Sequence, residues 1–495
     1  MYYKHFYHLV IGMLVCSLFA CKPDEPKTDT TNTTNTTETP EDPDDKPEPP
    51  ADPLDPSTRT DYEYLFDLNA VPEIEIRVSE EQWNTYLTNF DNNPDNAYYV
   101  WASFTFRKGD DVYTRDSVGI RPRGNGSRYR PEGSTGEPHS NDSQWHRAHF
   151  GIKFTATDTG HRFFGADRII LKWIRNDPSY VREIYCYDLF RRFGVWSAPR
   201  SSYCRLTFQI EGDDHPVYLG VYELLENPRK GWLDTRFHAG KIPDKEGFLW
   251  KAQYGANLSD GSISHMGISD DEGHSFIYNL KTHKSNLSQA QLELSDFIYG
   301  LIPRPSGSDV LRIYLEEHLD MDLFLRTYAV NVMLGGWDDY WFNQNNYYFY
   351  FDSNHRFYFI PFDYDNSLGT GTEKAGNPGT KDPLNWGPLD DTRTLMRKVM
   401  SIPEYRQRYL DYMRELAESN DLFAPEGSAQ RIRYWQALIT LFVNNDTGKD
   451  CVIEDKPSKW SYYPAYRLLT DNVGDGISQE SNFFKTKIHY LPAQN

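Results

Sequence analysis

The sequence predicts an α+β protein in two parts, a β-rich first half followed by a mainly helical second half. Three observations predict it. Apolar residues alternate with polar ones across much of 71–157, the period of half-buried strands. From about Pro303 the apolar spacing becomes helical, as in DMDLFLRTYAVNVMLGG (320–336). A single late hairpin, NNYYFYFDSNHRFYFIPFDYDNSLG (345–369), interrupts that helical half and ends in two carboxylates, Asp363 and Asp365.

The first segment is not expected to belong to the fold. Lys4 gives a positive start, Leu9 to Phe19 an apolar core of signal-peptide length, and Leu18-Phe19-Ala20-Cys21 a cleavage site ending in cysteine. Residues 1–20 therefore read as a lipoprotein signal peptide, with Cys21 as the lipidated first residue of a bacterial envelope protein, anchored to a membrane outside the cytoplasm. Residues 21–60 are dominated by Thr, Pro, Asp and Glu with almost nothing to bury, a disordered acidic tether. The formal charge of −20 argues against a nucleic-acid partner, which would need a basic face. Cys186, Cys204 and Cys451 remain for the folded part, with no CxxC spacing that would point to zinc.

The folded remainder divides into a β-rich lobe at 61–302 and a helical lobe at 303–495. VPEIEIRVSEEQW (71–83) is a strand feeding a helix capped by Ser79. VWASFTFRKGDDVYTRDSVGIRPRG (100–124) is a pair of strands turning at Gly109-Asp110, and HFGIKFTAT (149–157) another strand. Asp177-Pro178 predicts a helix start, Val181, Ile184, Tyr185, Leu189 and Phe193 its apolar stripe, and Gly194 its end. SSYCRLTFQIEGDDHPVYLGVYELLE (201–226) is a hairpin closing at Glu226, and further helices are expected near 392–418 and 428–444.

Asp363 and Asp365 have the same strand parity, so both can face one side at the strand's exit. Two carboxylates that close repel unless a cation or proton is shared. Two phosphate chemistries use such a pair. Asp363 could be the nucleophile of an Asp-dependent phosphatase, with Asp365 as its acid/base partner. Alternatively the pair could hold a divalent metal against a nucleotide. The phosphatase motif belongs to a parallel βαβ context, whereas this one follows an antiparallel hairpin. The order Asp338, Asn346, Asp363 repeats that of a protein kinase: catalytic Asp, metal-ligating Asn, then a metal-binding Asp after a short hairpin. IRPRGNGSRY (120–129) adds glycines around Asn125 with Arg121 and Arg123 beside them, the composition of a loop that approaches phosphates. Lys153, on its short strand, is the expected phosphate lysine, and Glu183 in the following helix its partner.

These motifs together resemble the CotH family of spore-coat-type atypical protein kinases. The likeness is carried by Arg121-x-Arg123-Gly-Asn-x-Ser127, Asp177-Pro-Ser-x-x-Arg-Glu183, Tyr218-x-Gly-x-Tyr-x-Leu-Leu-Glu226, Trp337-Asp338-Asp-Tyr340 leading to Asn346, and Ile360-Pro-x-Asp-x-Asp365. It implies a divergent two-lobed kinase-like fold that uses ATP with Mg²⁺ or Mn²⁺ to phosphorylate Ser or Thr of a protein substrate. Carried over, Asp338 is the catalytic aspartate, and Asp363, Asn346 and Asp365 are metal ligands. Glu226 matches a motif acid, and Phe357 stands where the family has an aromatic against the adenine. Phe362 replaces the family's usual Trp, and the long loop 127–147 enlarges the glycine-rich region. The alternative from another class is a surface module of this fold that binds a glycan or protein without catalysis.

Overall fold

A computed structural model describes residues 61–156, 162–269, 275–447, 451–459, 461–462, 466–475 and 480–492. The expected signal peptide, Cys21 and the tether lie outside the described residues. The chain opens with α1 (Tyr62–Leu65), β1 (Glu73–Val78), α2 (Glu80–Asn92), β2 (Val100–Lys108) and β3 (Asp111–Arg123). It continues through β4 (His149–Lys153), β5 (Arg168–Trp173), α3 (Arg182–Arg192), β6 (Ser201–Ile210), β7 (Val217–Glu226) and α4 (Lys230–His238). Next come β8 (Phe248–Ala252), β9 (Met266–Gly267), β10 (Tyr278–Leu280), α5 (Leu287–Leu301), α6 (Asp309–His318), α7 (Met321–Leu334) and α8 (Tyr340–Asn343). The hairpin β11 (Tyr347–Phe351) and β12 (Phe357–Pro361) precedes α9 (Thr394–Met400), α10 (Pro403–Glu418), α11 (Pro425–Ile439) and α12 (Phe483–His489).

The first seven strands form a closed barrel in the order β1-β2-β3-β4-β5-β7-β6. The alternation read from the sequence fills it: Ile74, Ile76 and Val78 point inward with Phe104, Phe106, Phe150 and Phe208, all buried. Outward, Arg107 bridges Glu73 and Glu75 at 3.0 and 2.9 Å. Closure depends on β1 pairing in parallel with β6, Glu73 opposite Arg205 and Val78 opposite Ile210. That contact is distant in sequence, and it closes the separately expected strands and hairpin into a barrel.

Ser79 caps α2 as expected, accepting from the Gln82 N–H at 3.3 Å. The helix seals the barrel with Trp83, whose ring stacks on Tyr86 at 4.9 Å and Trp145 at 5.2 Å. The long loop after β3 is pinned to this helix. Trp83 Nε1 donates to Glu132 Oε2 at 2.6 Å, and Arg130 meets Asp91 at 2.9 Å. His139 is held between Glu132 at 3.0 Å and Asp213 at 2.9 Å, which raises its pKa although burial acts against the charge.

The helix expected from Asp177-Pro178 begins later, at Arg182. Tyr180 sits at φ +58°, left-handed backbone that a helix cannot pass through. Asp177 instead caps the turn, accepting from the Ser179 and Arg182 N–H groups at 3.0 and 2.8 Å. From Arg182 to Phe190 every residue of α3 is buried, polar ones included, because the helix is wedged between β6 of the barrel and the helices α7 and α11.

That sheet has the order β12-β11-β8-β10-β9. The expected hairpin is its edge, Tyr347 opposite Pro361 and Phe351 opposite Phe357. Its central strand β8, however, comes from before residue 302, so a lobe boundary there cuts through the sheet. The expected 392–418 helix is two, because Pro403 opens α10 at a first-turn position where its missing N–H is harmless. Cys186, Cys204 and Cys451 form no disulfide among the described residues. No helix among the described residues is long and apolar enough to cross a membrane.

Removing the Trp83 side chain would empty the barrel mouth and strip Glu132 of its indole donor. Trp83→Ala is expected to destabilise the chain by about 3–5 kcal/mol in urea unfolding. A loss under about 1 kcal/mol would show that the loop and helix are held otherwise.

Candidate active site

A cavity of about 440 Å³ opens between the outer barrel face and the second sheet. Strand parity decides who lines it. On β5, Ile170 and Lys172 project from the barrel, beside Leu225 of β7, His149 of β4 and Arg123 of β3. On the opposite side, Gln253 follows β8 and Asn346 precedes β11, with Lys251 of β8 and Tyr348 of β11 opposite one another. Asp338, Phe362, Asp363 and Asp365 complete that side, and the turn 124–127 lines one end. A larger surface groove of about 570 Å³, between α1, α3 and α11, holds ion-paired residues such as Arg192 and Asp188 but none of the expected site residues.

Lys172 is the hub. Its ammonium lies 2.5 Å from Glu183 Oε2, 2.5 Å from Asp363 Oδ1 and 3.5 Å from Asp365 Oδ2. Burial works against its charge, but the surrounding acids, Asp363 first, raise its pKa well above the ordinary lysine value. Burial would raise Asp363 too, and Lys172 overcomes it and holds that carboxyl below its ordinary range. For Asp365 burial prevails and its pKa is raised. Behind them, Glu223 of β7 lies opposite Lys172 and accepts from Ser201 Oγ at 2.6 Å. Burial first, with Asp363 adding to it, pushes Glu223 up to about 7. His149 is driven the other way, down to about 3, by burial and then by Lys172. It is therefore neutral, and since Nδ1 accepts the Trp173 N–H at 2.9 Å its proton resides on Nε2.

Helix α3 grips the segment that carries the paired acids. Tyr187 Oη accepts the Asp363 N–H at 3.0 Å, Glu183 Oε1 accepts the Tyr364 N–H at 3.1 Å, and Arg182 donates to the Asp365 carbonyl. Asp363 is thereby held at φ +65°, a conformation seldom adopted outside glycine, asparagine and aspartate. Asp338 accepts from the side-chain amides of Asn343 at 2.6 Å, Asn346 at 2.9 Å and Asn345 at 3.2 Å. Burial raises its pKa, and the Asn343 and Asn345 amides act against that. Asn346 spends its N–H on Asp338, which leaves its Oδ1 as an acceptor at the cavity wall.

Of the residues expected from sequence, Arg123, Asn125, Asp338, Asn346, Asp363 and Asp365 line this cavity, and Glu183 stands behind Lys172. The others lie elsewhere. Lys153 sits at the far end of β4 opposite Arg168, and it is Lys172 that pairs with Glu183. Arg121 is one pleat further from the cavity and donates to Tyr99 at 3.1 Å. Glu226 is buried against Arg236 Nη2 at 2.9 Å and caps the Arg200 N–H at 2.9 Å. Phe357 is in the core, stacked on Phe297 at 5.0 Å and Phe349 at 5.1 Å; the aromatic rings at the cavity include Tyr348 and Phe362, 5.0 Å apart. Lys172, Glu223, His149 and Lys251 are the residues that sequence reasoning missed. Lys172 had a signal: its strand is the one that leads directly into the helix of Glu183.

The fold and cleft define a class of site, in which basic side chains and a glycine-rich turn on a barrel face oppose paired carboxylates on a second sheet. The family profile of the CotH kinase proteins matches residues 120–473, which include every residue of this cleft. The chain belongs to the CotH kinase family. It is 24% identical over 354 residues to spore coat protein homolog 1 of Rhizopus delemar, a match covering 71% of this chain and 51% of that protein. The chain thus spans about half the length of that relative.

Glu223 yields a pH test. Its pKa is about 7 in the folded chain against an ordinary 4.5, so between those values the folded state keeps a proton that the unfolded state has lost. Its contribution is complete below pH 4.5 and fades as pH rises through 7. Glu223→Gln removes this term, so the Tm of the variant relative to wild type should climb from pH 5 to pH 8. A flat difference would mean that Glu223 is ionised throughout.

Proposed function

We propose that the chain is an ATP-dependent protein kinase that transfers the γ-phosphoryl group to Ser or Thr hydroxyls of envelope proteins. The observation that carries this reading is the opposition, across one cavity, of Lys172 with Glu183 on one side and Asp338, Asn346, Asp363 and Asp365 on the other. It follows the order of function in kinase active sites within a divergent two-lobed frame.

The donor set fits a hard divalent cation. Asp363, Asp365 and the Asn346 carbonyl are oxygen ligands of the kind Mg²⁺ or Mn²⁺ takes, and the Lys172 ammonium already bridges the two carboxylates as a cation would. A magnesium ion at these oxygens would take its remaining ligands from phosphate and water. Bound there, the metal would offset charge on the β- and γ-phosphates.

The chain's own residues supply the rest. Lys172, steadied by Glu183, would hold the nucleotide phosphates from the barrel side, with Arg123 and the 124–127 turn closing over them. Asp338, positioned by three asparagine amides, would orient the acceptor hydroxyl and take its proton as the oxygen–phosphorus bond forms and ADP leaves. Tyr348 and Phe362 would receive the base. The leader and Cys21 support attachment to a bacterial membrane through lipid, with the acidic tether as spacer and no role for nucleic acid. A second reading, a binding module without catalysis, draws on that same leader, since ATP is scarce outside the cytoplasm.

The full-length protein with γ-labelled ATP, Mn²⁺ or Mg²⁺ and a general acceptor protein should transfer label to Ser and Thr. Asp338→Ala and Asp363→Ala should each lower transfer by ~10²–10⁴-fold, and Lys172→Met should shrink the rise in Tm that ATP produces. Label on Asp363 itself would mean a phosphatase. Absence of both transfer and any ATP-dependent rise in Tm would leave the binding module.

A further inference from the structure

Arg121 and Lys153, two cations expected at the phosphates, meet instead at a second place on the barrel. The register brings Gly119 of β3, Lys153 of β4 and Arg168 of β5 into one row across three strands. Directly opposed residues share a face, so the lysine and the arginine project together from the outer wall, with Cβ atoms about 5 Å apart. Arg121 projects from the same side of β3, two residues beyond Gly119. Its Nε donates to the Tyr99 hydroxyl at 3.1 Å, and its guanidinium lies over the Tyr99 ring at 5.4 Å. The ring rests on the Gly119 backbone so closely that a Cβ there would come within 2.7 Å of it. Arg229, just past the end of β7, also acts on the hydroxyl.

Opposing like charges across strands is unfavourable, and four cations round one phenol require an account in a chain of net charge −20. Each of the four keeps contacts of its own. The phenol nevertheless registers the sum of what surrounds it. Burial alone would raise its pKa; Arg121, Arg168, Arg229 and Lys153 outweigh burial and bring it down to about 8. The row of Lys153 and Arg168 beside Arg121 and the Tyr99 ring is thus a place where cations outweigh the burial of the phenol. The place is distinct from the cleft: Lys172 and Ile170 line the cavity and Arg168, four residues from Lys172 along β5, does not, a separation of about 13 Å.

We propose that Arg121, Lys153, Arg168 and Arg229, gathered round the Tyr99 hydroxyl, form a second anion site that takes a phosphate-type dianion, free or carried on a phosphorylated polypeptide. Guanidinium forks suit the oxygens of such a group, and the tyrosine hydroxyl adds one neutral donor. The site does not depend on the kinase reading, since it shares no residue with the cleft.

Tyr99 is its own reporter. In a near-ultraviolet titration of the full chain one tyrosine should ionise early, with a midpoint near 8, and the difference from Tyr99→Phe assigns it among 35 tyrosines. Inorganic phosphate should raise that midpoint by about one pH unit as the dianion offsets the cations, well beyond the effect of chloride at matched ionic strength. The shift should persist in Lys172→Met, which disables the cleft, and vanish in the Lys153→Gln, Arg168→Gln double variant. A second arm uses a phosphoserine peptide; whichever ligand acts at the lower concentration identifies the source. A tyrosine midpoint near 10, or one that neither phosphate nor peptide moves further than chloride does, overturns the site. The wild-type and Tyr99→Phe titrations together decide between these outcomes, whether or not the double variant folds.

Discussion

The cleft is organised by one buried positive charge. Lys172 reaches Glu183 on α3, and Asp363 and Asp365 on the segment after β12, so a single ammonium ties barrel, helix and second sheet together. Bringing that many carboxylates together is unfavourable unless a cation accompanies them. Glu223 adds a further acid from behind, and burial, by raising its pKa to about 7, leaves it about half protonated at neutral pH and so lessens the repulsion. His149 is neutral because it is buried and, after that, because a second cation beside Lys172 would be repelled.

Helix α3 converts that electrostatic arrangement into a defined geometry. Its apolar stripe packs into the core as an ordinary amphipathic helix would. Its polar residues Arg182, Glu183 and Tyr187 are buried as well, and each contacts the backbone of residues 363–365. The helix thus acts on the acids through main-chain hydrogen bonds, which set backbone direction, more than through their carboxylates. Asp338 is positioned mainly by the asparagine amides that follow α7, with Asn366 linking it at 3.4 Å to the segment of the paired acids.

Much of this is legible in the sequence where the signal is local. The β11–β12 hairpin announces itself by two aromatic runs about an Asp-Ser-Asn turn, and α7 by Asp320 at one end and Gly335 at the other. What is not legible depends on distant contacts. Nothing near Glu73 declares that β1 will lie parallel to β6 and close a barrel. Lys153 and Lys172 each occupy a short, largely apolar strand, and only their order in space decides which one meets Glu183. Glu223 is hidden in the apolar run YELLE, where an acid looks like the solvent-facing residue of a strand. The late start of α3 escapes detection because a left-handed tyrosine gives no warning in the letters around it.

The left-handed backbone at Asp363 has a consequence for descent. That conformation admits aspartate, asparagine and glycine readily and disfavours other side chains by about 1–2 kcal/mol. Glutamate would keep the charge but meets the backbone penalty, whereas asparagine loses the charge and keeps the shape. Change at this position therefore has a narrow exit, and a descendant that gives up the carboxylate with the hairpin intact is expected to carry asparagine or glycine there. The amino acid found there in a relative would record whether its chemistry or only its architecture has been under selection.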